Sequence, residues 1–156
     1  MKNVFGAPLE PCRANADDAQ GSWDSTGLCS ESTGGVHQIC VTFDEVTKNF
    51  AQQTFQPTNW SRQRVHQPHC VCLGAYALYH ARAGNAPLTT NCRAIPETVF
   101  DPSYVQHWAT WNSYQLPRQI VNGVDALCRA CDQQAQTSEE RNYLRMHYQN
   151  IRKAYS

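Results

Sequence analysis

The run Cys70-Val71-Cys72-Leu73-Gly74-Ala75-Tyr76-Ala77-Leu78-Tyr79-His80-Ala81-Arg82-Ala83 decides the fold class, because it joins two backbone types. It reads as a strand end leading into a helix. Gly84-Asn85 closes that helix, since these residue types readily take the left-handed conformation just past a helix end. The start of the run also matters chemically. In extended chain Cys70 and Cys72 point to one face, so both sulfurs can meet one metal or one substrate. In a helix they would diverge by about 200° and the pairing would vanish.

Working back from this run, residues 54–68 are polar and carry no period. Before them, residues 36–43 alternate: His37, Ile39, Val41 and Phe43 against Gln38, Cys40 and Thr42, the pattern of a half-buried strand. Asp44 can cap a short helix over residues 45–53 that points Val46 and Phe50 inward. Residues 1–35 are punctuated by Pro8, Pro11, Gly21, Gly27, Gly34 and Gly35 and read as ordered loop.

Beyond the run the chain turns helical. Pro102 suits a first helical turn, and Tyr104, Val105, Trp108 and Trp111 follow at helical spacing. After Pro117, one apolar stripe takes in Ile120, Val124, Leu127, Cys128 and Cys131, with Asn122-Gly123 expected to fray or break its first turn. Thr137 and Glu140 form a capping box. Leu144, Tyr148, Ile151 and Tyr155 make the stripe of a last helix, and Arg152 and Lys153 complement its dipole. A lone helix of this length is unstable in water, so its stripe must pack on the domain or on a partner. The expected fold is α+β: a loop-rich amino-terminal half around a small sheet, packed against a helical carboxy-terminal half. The 156 residues fit one domain.

Composition narrows the function classes. Leu, Ile, Val and Phe number only 27, so four Trp, seven Tyr and eight Cys must supply core volume, and an aromatic-rich core is expected. Thirteen basic residues balance thirteen acidic ones without a basic run, so a nucleic-acid footprint is lacking. No apolar segment approaches a membrane span, and the first residues lack the apolar core of a secretory signal. The expected location is the cytoplasm, where all eight cysteines would be reduced or metal-bound.

The tightest group of chemically active residues is His66-Gln67-Pro68-His69-Cys70-Val71-Cys72, which makes His66, His69, Cys70 and Cys72 candidate metal ligands, with zinc one candidate occupant. The spacing differs from the usual zinc patterns, in which two ligand pairs each span two to four residues. Packing, metal binding and a catalytic thiol all remain open for it. Cys128-Arg129-Ala130-Cys131 has redox spacing but lies on an apolar helical stripe, where cysteine acts as a small hydrophobe. His37 leads the apolar face of its strand and reads as a core-edge histidine. Phosphate-loop, dinucleotide, zinc-protease and serine-hydrolase motifs do not occur.

The opening Lys2-Asn3-Val4-Phe5-Gly6-Ala7-Pro8-Leu9-Glu10-Pro11-Cys12, then Gly27-Leu28-Cys29, Gly35-Val36-His37-Gln38-Ile39-Cys40 and Cys70-Val71-Cys72, resemble domain-of-unknown-function family 2237, a mainly bacterial group of small proteins. The resemblance covers about residues 1–90, and it makes residues 91–156 a helical extension. Where the family has Cys-Cys this chain has Leu28-Cys29; His69 replaces an aromatic, and Ala75-Tyr76 an Arg-Trp pair. The family's Asn-Asp-Leu-Ser segment survives at best as Asn59-Trp60-Ser61. The resemblance groups Cys12, Cys29, His37, Cys40, Cys70 and Cys72 as one ligand-binding pocket, Cys40 and Cys72 nearest its centre, and supplies no activity. These residues favour a non-catalytic binding protein, or a structural one that joins a larger assembly through its carboxy-terminal helices. The alternative is a thiol- or metal-dependent enzyme acting on a small molecule.

Overall fold

The computed structural model describes residues 1–13, 21–30, 37–82, 84–107, 110–111, 114–115 and 117–154. Gly34, Gly35, Val36, Trp108 and Tyr155, on which some expectations above fall, lie outside the described residues, as does the side chain of Trp111. Strand β1 (Ile39–Thr42) pairs antiparallel with β2 (Pro68–Val71) on one side and with β3 (Thr89–Thr90) on the other. The register sets Ile39 against Val71, Cys40 against Cys70 and Val41 against His69. Pairing on both edges makes β1 the central strand, and it is buried on both faces: Ile39, Cys40 and Val41 are all at most 1% exposed. The expectation of a half-buried strand is corrected here, because the amino-terminal loop is bonded onto the Cys40 face.

Helix α1 (Phe50–Gln53) is shorter than the sequence suggested. The Asp44 carboxylate accepts hydrogen bonds from the backbone N–H groups of Val46 and Thr47, which holds residues 45–49 as turns. Val46 therefore points outward, 73% exposed, while Phe50 is buried as expected, against Phe43 and Tyr79. Strand β2 runs directly into α2 (Leu73–Ala81), the change of backbone read in the sequence. Every residue of α2 from Leu73 to Tyr79 is buried. Burial of a large apolar side chain is worth roughly 1.5–3 kcal/mol, so α2 forms the centre of the core.

Helices α3 (Pro102–His107), α4 (Pro117–Asp132) and α5 (Ser138–Ala154) follow, with a two-residue hairpin, β4 (Thr110–Trp111) and β5 (Tyr114–Gln115), between α3 and α4. The result is the expected α+β fold, helical in its carboxy-terminal half. Helix α4 lies on α2 with a close approach at Gly123: a Cβ there would stand 2.6 Å from the Ala77 Cβ. Asn122-Gly123 thus leaves the helix unbroken, contrary to expectation, and lets two backbones come together. Helix α5 closes over α4 with Leu144 and Ile151 buried, so its stripe packs on this chain. The capping box takes a shifted form. The Glu140 N–H donates to the Thr137 hydroxyl, while the Glu140 carboxylate accepts from the Gln136 N–H and from Arg93.

The amino-terminal loop is ordered by specific bonds rather than by periodic burial. Asn3 is fully buried; its side-chain oxygen accepts from the N–H groups of Phe5 and Ala7, and its amide donates to the carbonyls of Pro8 and Arg93. Arg93 then pairs with Glu10 and Glu140, joining this loop to α5.

Candidate functional site

Six cysteines form disulfides: Cys12–Cys40, Cys29–Cys70 and Cys92–Cys131. The expectation of eight reduced or metal-bound cysteines is corrected. The cause is spatial: the Cys12 N–H donates to the Gly27 carbonyl, so the loops bearing Cys12 and Cys29 run together. The Cys70 N–H donates to Gly21, which lays the second of these loops along β2. Cys131 pairs with Cys92, not with its helical neighbour Cys128. Cys72 and Cys128 keep buried thiols. Burial and the nearby Asp132 and Asp125 push the Cys128 thiol up to about 12, which keeps it protonated and unreactive.

A cleft of about 400 Å³ opens beside the Cys29–Cys70 bridge. One wall is aromatic. The His69 ring stacks on the Trp60 indole with centroids 4.3 Å apart, and the Trp60 Nε1–H donates to Gln56 Oε1 at 2.7 Å. The Ser22 hydroxyl meets His69 Nε2 at 3.2 Å. Arg64 also lines the cleft, held by a bond from its guanidinium to the Pro68 carbonyl. His37 enters from the residues leading into β1, and Gln63 from the 3-10 turn Trp60–Gln63. Cys72, the N-cap of α2, also lines the cleft, and its sulfur accepts from the Ala75 N–H at 3.4 Å. Cys72 therefore sits at the positive end of the α2 dipole.

Among the described residues, the fixed charge lining the cleft is of one sign. Its described lining holds one permanent cation, Arg64, two imidazoles and a helix amino end, and no carboxylate. The other large cavities differ. The groove between α4 and α5 includes carboxylate pairing: Arg145 pairs with Asp132, and the Tyr148 hydroxyl donates to Asp125. A third cavity is lined by Tyr76, Arg129 and His80, which burial and Arg129 push down to about 4.

Of the residues grouped by sequence, Cys70, Cys72 and His37 line the cleft. Cys40, expected at its centre, lies in the core in its bridge to Cys12 and does not line it. The sulfurs of Cys12, Cys29 and Cys40 lie within 4.8 Å of one another, all buried. The set His66, His69, Cys70 and Cys72 is not assembled: among the described residues no such group of ligand atoms forms. His66 is exposed with a left-handed backbone, Cys70 is bonded to Cys29, and His69 is stacked on Trp60. Sequence reading missed Trp60 and Arg64. The available signal was a tryptophan inside a polar stretch with no period; in the structure Trp60 packs edge-on to Phe43 and Phe50 as well as lining the cleft. No helix among the described residues is long and apolar enough to cross a membrane. No protein-family model matches this chain, and no curated protein matches it.

Proposed function

We propose that this chain is a disulfide-braced binding protein whose cleft takes a small organic anion. The observation that carries the reading is the cleft's described lining: Arg64, two imidazoles (His37 and His69) and the amino end of α2, with no carboxylate among the described residues. A planar portion of the ligand would lie along the Trp60–His69 wall, and its anionic group would face Arg64 and the helix end. The three bridges favour an oxidising compartment, since such bonds persist poorly in reducing cytosol. We also read the motif order over residues 1–90 as membership of family 2237; four of the motif cysteines, Cys12, Cys29, Cys40 and Cys70, are the ones that brace the loops around the cleft.

Calorimetric titration of the oxidised protein with benzoate, indole-3-carboxylate and inorganic phosphate tests this. Saturable binding of at least one aromatic carboxylate is expected, weakened at least tenfold in Arg64→Gln and in Trp60→Ala. No heat from any of the three, or binding indifferent to both substitutions, would sink the reading.

One observation favours a second reading, a thiol-dependent reaction in the same cleft. Cys72 carries a thiol at a helix amino end and lines the same cleft as His37 and His69. Turnover of a bound thioester or ester that disappears in Cys72→Ala, with binding retained, would replace the first reading by the second.

A further inference from the structure

We propose that Cys12, Cys29, Cys40 and Cys70 constitute a redox-gated metal site, four thiolates that hold one zinc ion in the core when both bridges are reduced. The supporting observation is the packing of one bridge against the other. The sulfurs of Cys12, Cys29 and Cys40 lie within 4.8 Å of one another, although Cys29 is bonded to neither of the other two. Cys70, bonded to Cys29, stands outside that group, so its sulfur would have to swing toward Cys12 and Cys40 once its bridge opens. A tetrahedral zinc–thiolate centre has bonds of about 2.3 Å, which places its sulfurs about 3.8 Å apart. The non-bonded sulfurs among the three are thus already within about 1 Å of that edge length, and the bonded pairs need only part.

The frame that would present these ligands does not depend on the bridges alone. Cys40 and Cys70 are direct partners in the β1–β2 ladder. The Cys12 N–H bond to the Gly27 carbonyl ties the loop of Cys12 to that of Cys29. Arg13 lies against Gly27, whose left-handed backbone (φ 86°) leaves no Cβ in the way. All four cysteines are at most 5% exposed, so the site would be closed, as structural zinc sites are. The convergence is spatial rather than sequential, which is why no zinc spacing shows in the chain.

The chemistry balances without a hidden partner. Each bridge takes two electrons and two protons from a dithiol, which leaves as its own disulfide. Zinc then displaces the four thiol protons and keeps its oxidation state. In the return step a small-molecule disulfide takes two electrons from each thiolate pair and two protons from solvent, leaves as its dithiol and re-forms the bridge, and the ion is released. The described amino-terminal loops would thereby keep an anchor in either redox state. This inference does not rest on the anion-binding cleft, which is tested on the oxidised protein.

The test uses the whole chain, reduced with a phosphine under nitrogen and titrated with cobalt(II) as a spectroscopic stand-in for zinc. The visible bands of tetrahedral cobalt thiolate should saturate at one equivalent and bleach on addition of one equivalent of zinc. They should persist in Cys92→Ser/Cys131→Ser and disappear in Cys12→Ser and in Cys70→Ser. Absence of the bands, or an equal loss in the Cys92/Cys131 variant, would overturn the site, the latter by showing chelation by unfolded chain. If that variant does not fold, Cys128→Ser replaces it as the control under the same criterion.

Discussion

Cys40 and Cys70 face each other across β1 and β2, yet neither is bonded to the other: Cys40 reaches out to Cys12 and Cys70 to Cys29. A bond between the facing pair would only have reinforced a ladder that hydrogen bonds already hold. The two bonds that form instead fasten both amino-terminal loops to the sheet. In the chain-entropy account, closing loops of this separation contributes on the order of 3–4 kcal/mol each.

The first expected outcome follows directly. Protein denatured and alkylated without reductant should gain two alkyl groups, on Cys72 and Cys128, and eight after reduction. Intact-mass measurement decides it; eight groups in the unreduced sample would contradict the three bridges. Loss of one bridge, as in Cys29→Ala/Cys70→Ala, should cost about 2–5 kcal/mol in denaturant unfolding.

Gly123→Ala should destabilise the protein, although alanine is the better helix former by about 1 kcal/mol. The new methyl would meet the Cβ of Ala77 at 2.6 Å and its Cα at 2.7 Å, and a backbone atom cannot rotate aside. A net loss of about 1–3 kcal/mol is expected from overpacking, read as a lower urea midpoint with an unchanged slope.

Ile151→Asp places a carboxylate where Ile151 is 1% exposed. The variant should lose on the order of 3 kcal/mol or more, as buried unpaired polar groups do. Thermal melting of the isolated protein reads this out. An unchanged melting temperature would mean that α5 serves a partner and not this core.

His80 gives stability a pH dependence whose sign can be worked out. Burial and Arg129 lower its folded value from 6.5 to about 4, so between these limits the unfolded chain binds more protons than the folded one. Stability from this group is therefore full above about pH 6.5 and falls as the pH drops towards 4. His80→Gln should flatten the unfolding free energy over that window relative to the parent protein.

The sequence made some features legible because they are local. The strand-to-helix change at Cys70–Ala83 shows in a single run, and the stripe of Leu144 and Ile151 shows in its spacing. Val46 was misplaced because the Asp44 side chain competes with helical hydrogen bonding, a contest that spacing does not reveal. Gly123 read as a break because its reason, the nearness of Ala77, lies 46 positions away in the chain. Disulfide partners cannot be deduced from cysteine spacing, and here they join residues separated by 28, 41 and 39 positions. In the cleft, Cys72 and His37 stood out by residue type. Trp60 and Arg64 come from a stretch without periodicity, and only the fold shows that they face the same space.

The enclosure of α2 has a consequence for how the molecule is made. A growing chain releases α2 well before α4, its cover, has been synthesised, and the sulfur partner of Cys92 arrives only with residue 131. For that interval the nascent protein carries two sealed bridges' worth of amino-terminal cysteines and one unclad apolar helix. It is then at its most adhesive, and a ribosomal pause between residues 92 and 131 would lengthen that exposure. Synonymous changes that slow translation there should lower the soluble yield while leaving the finished molecule unaltered.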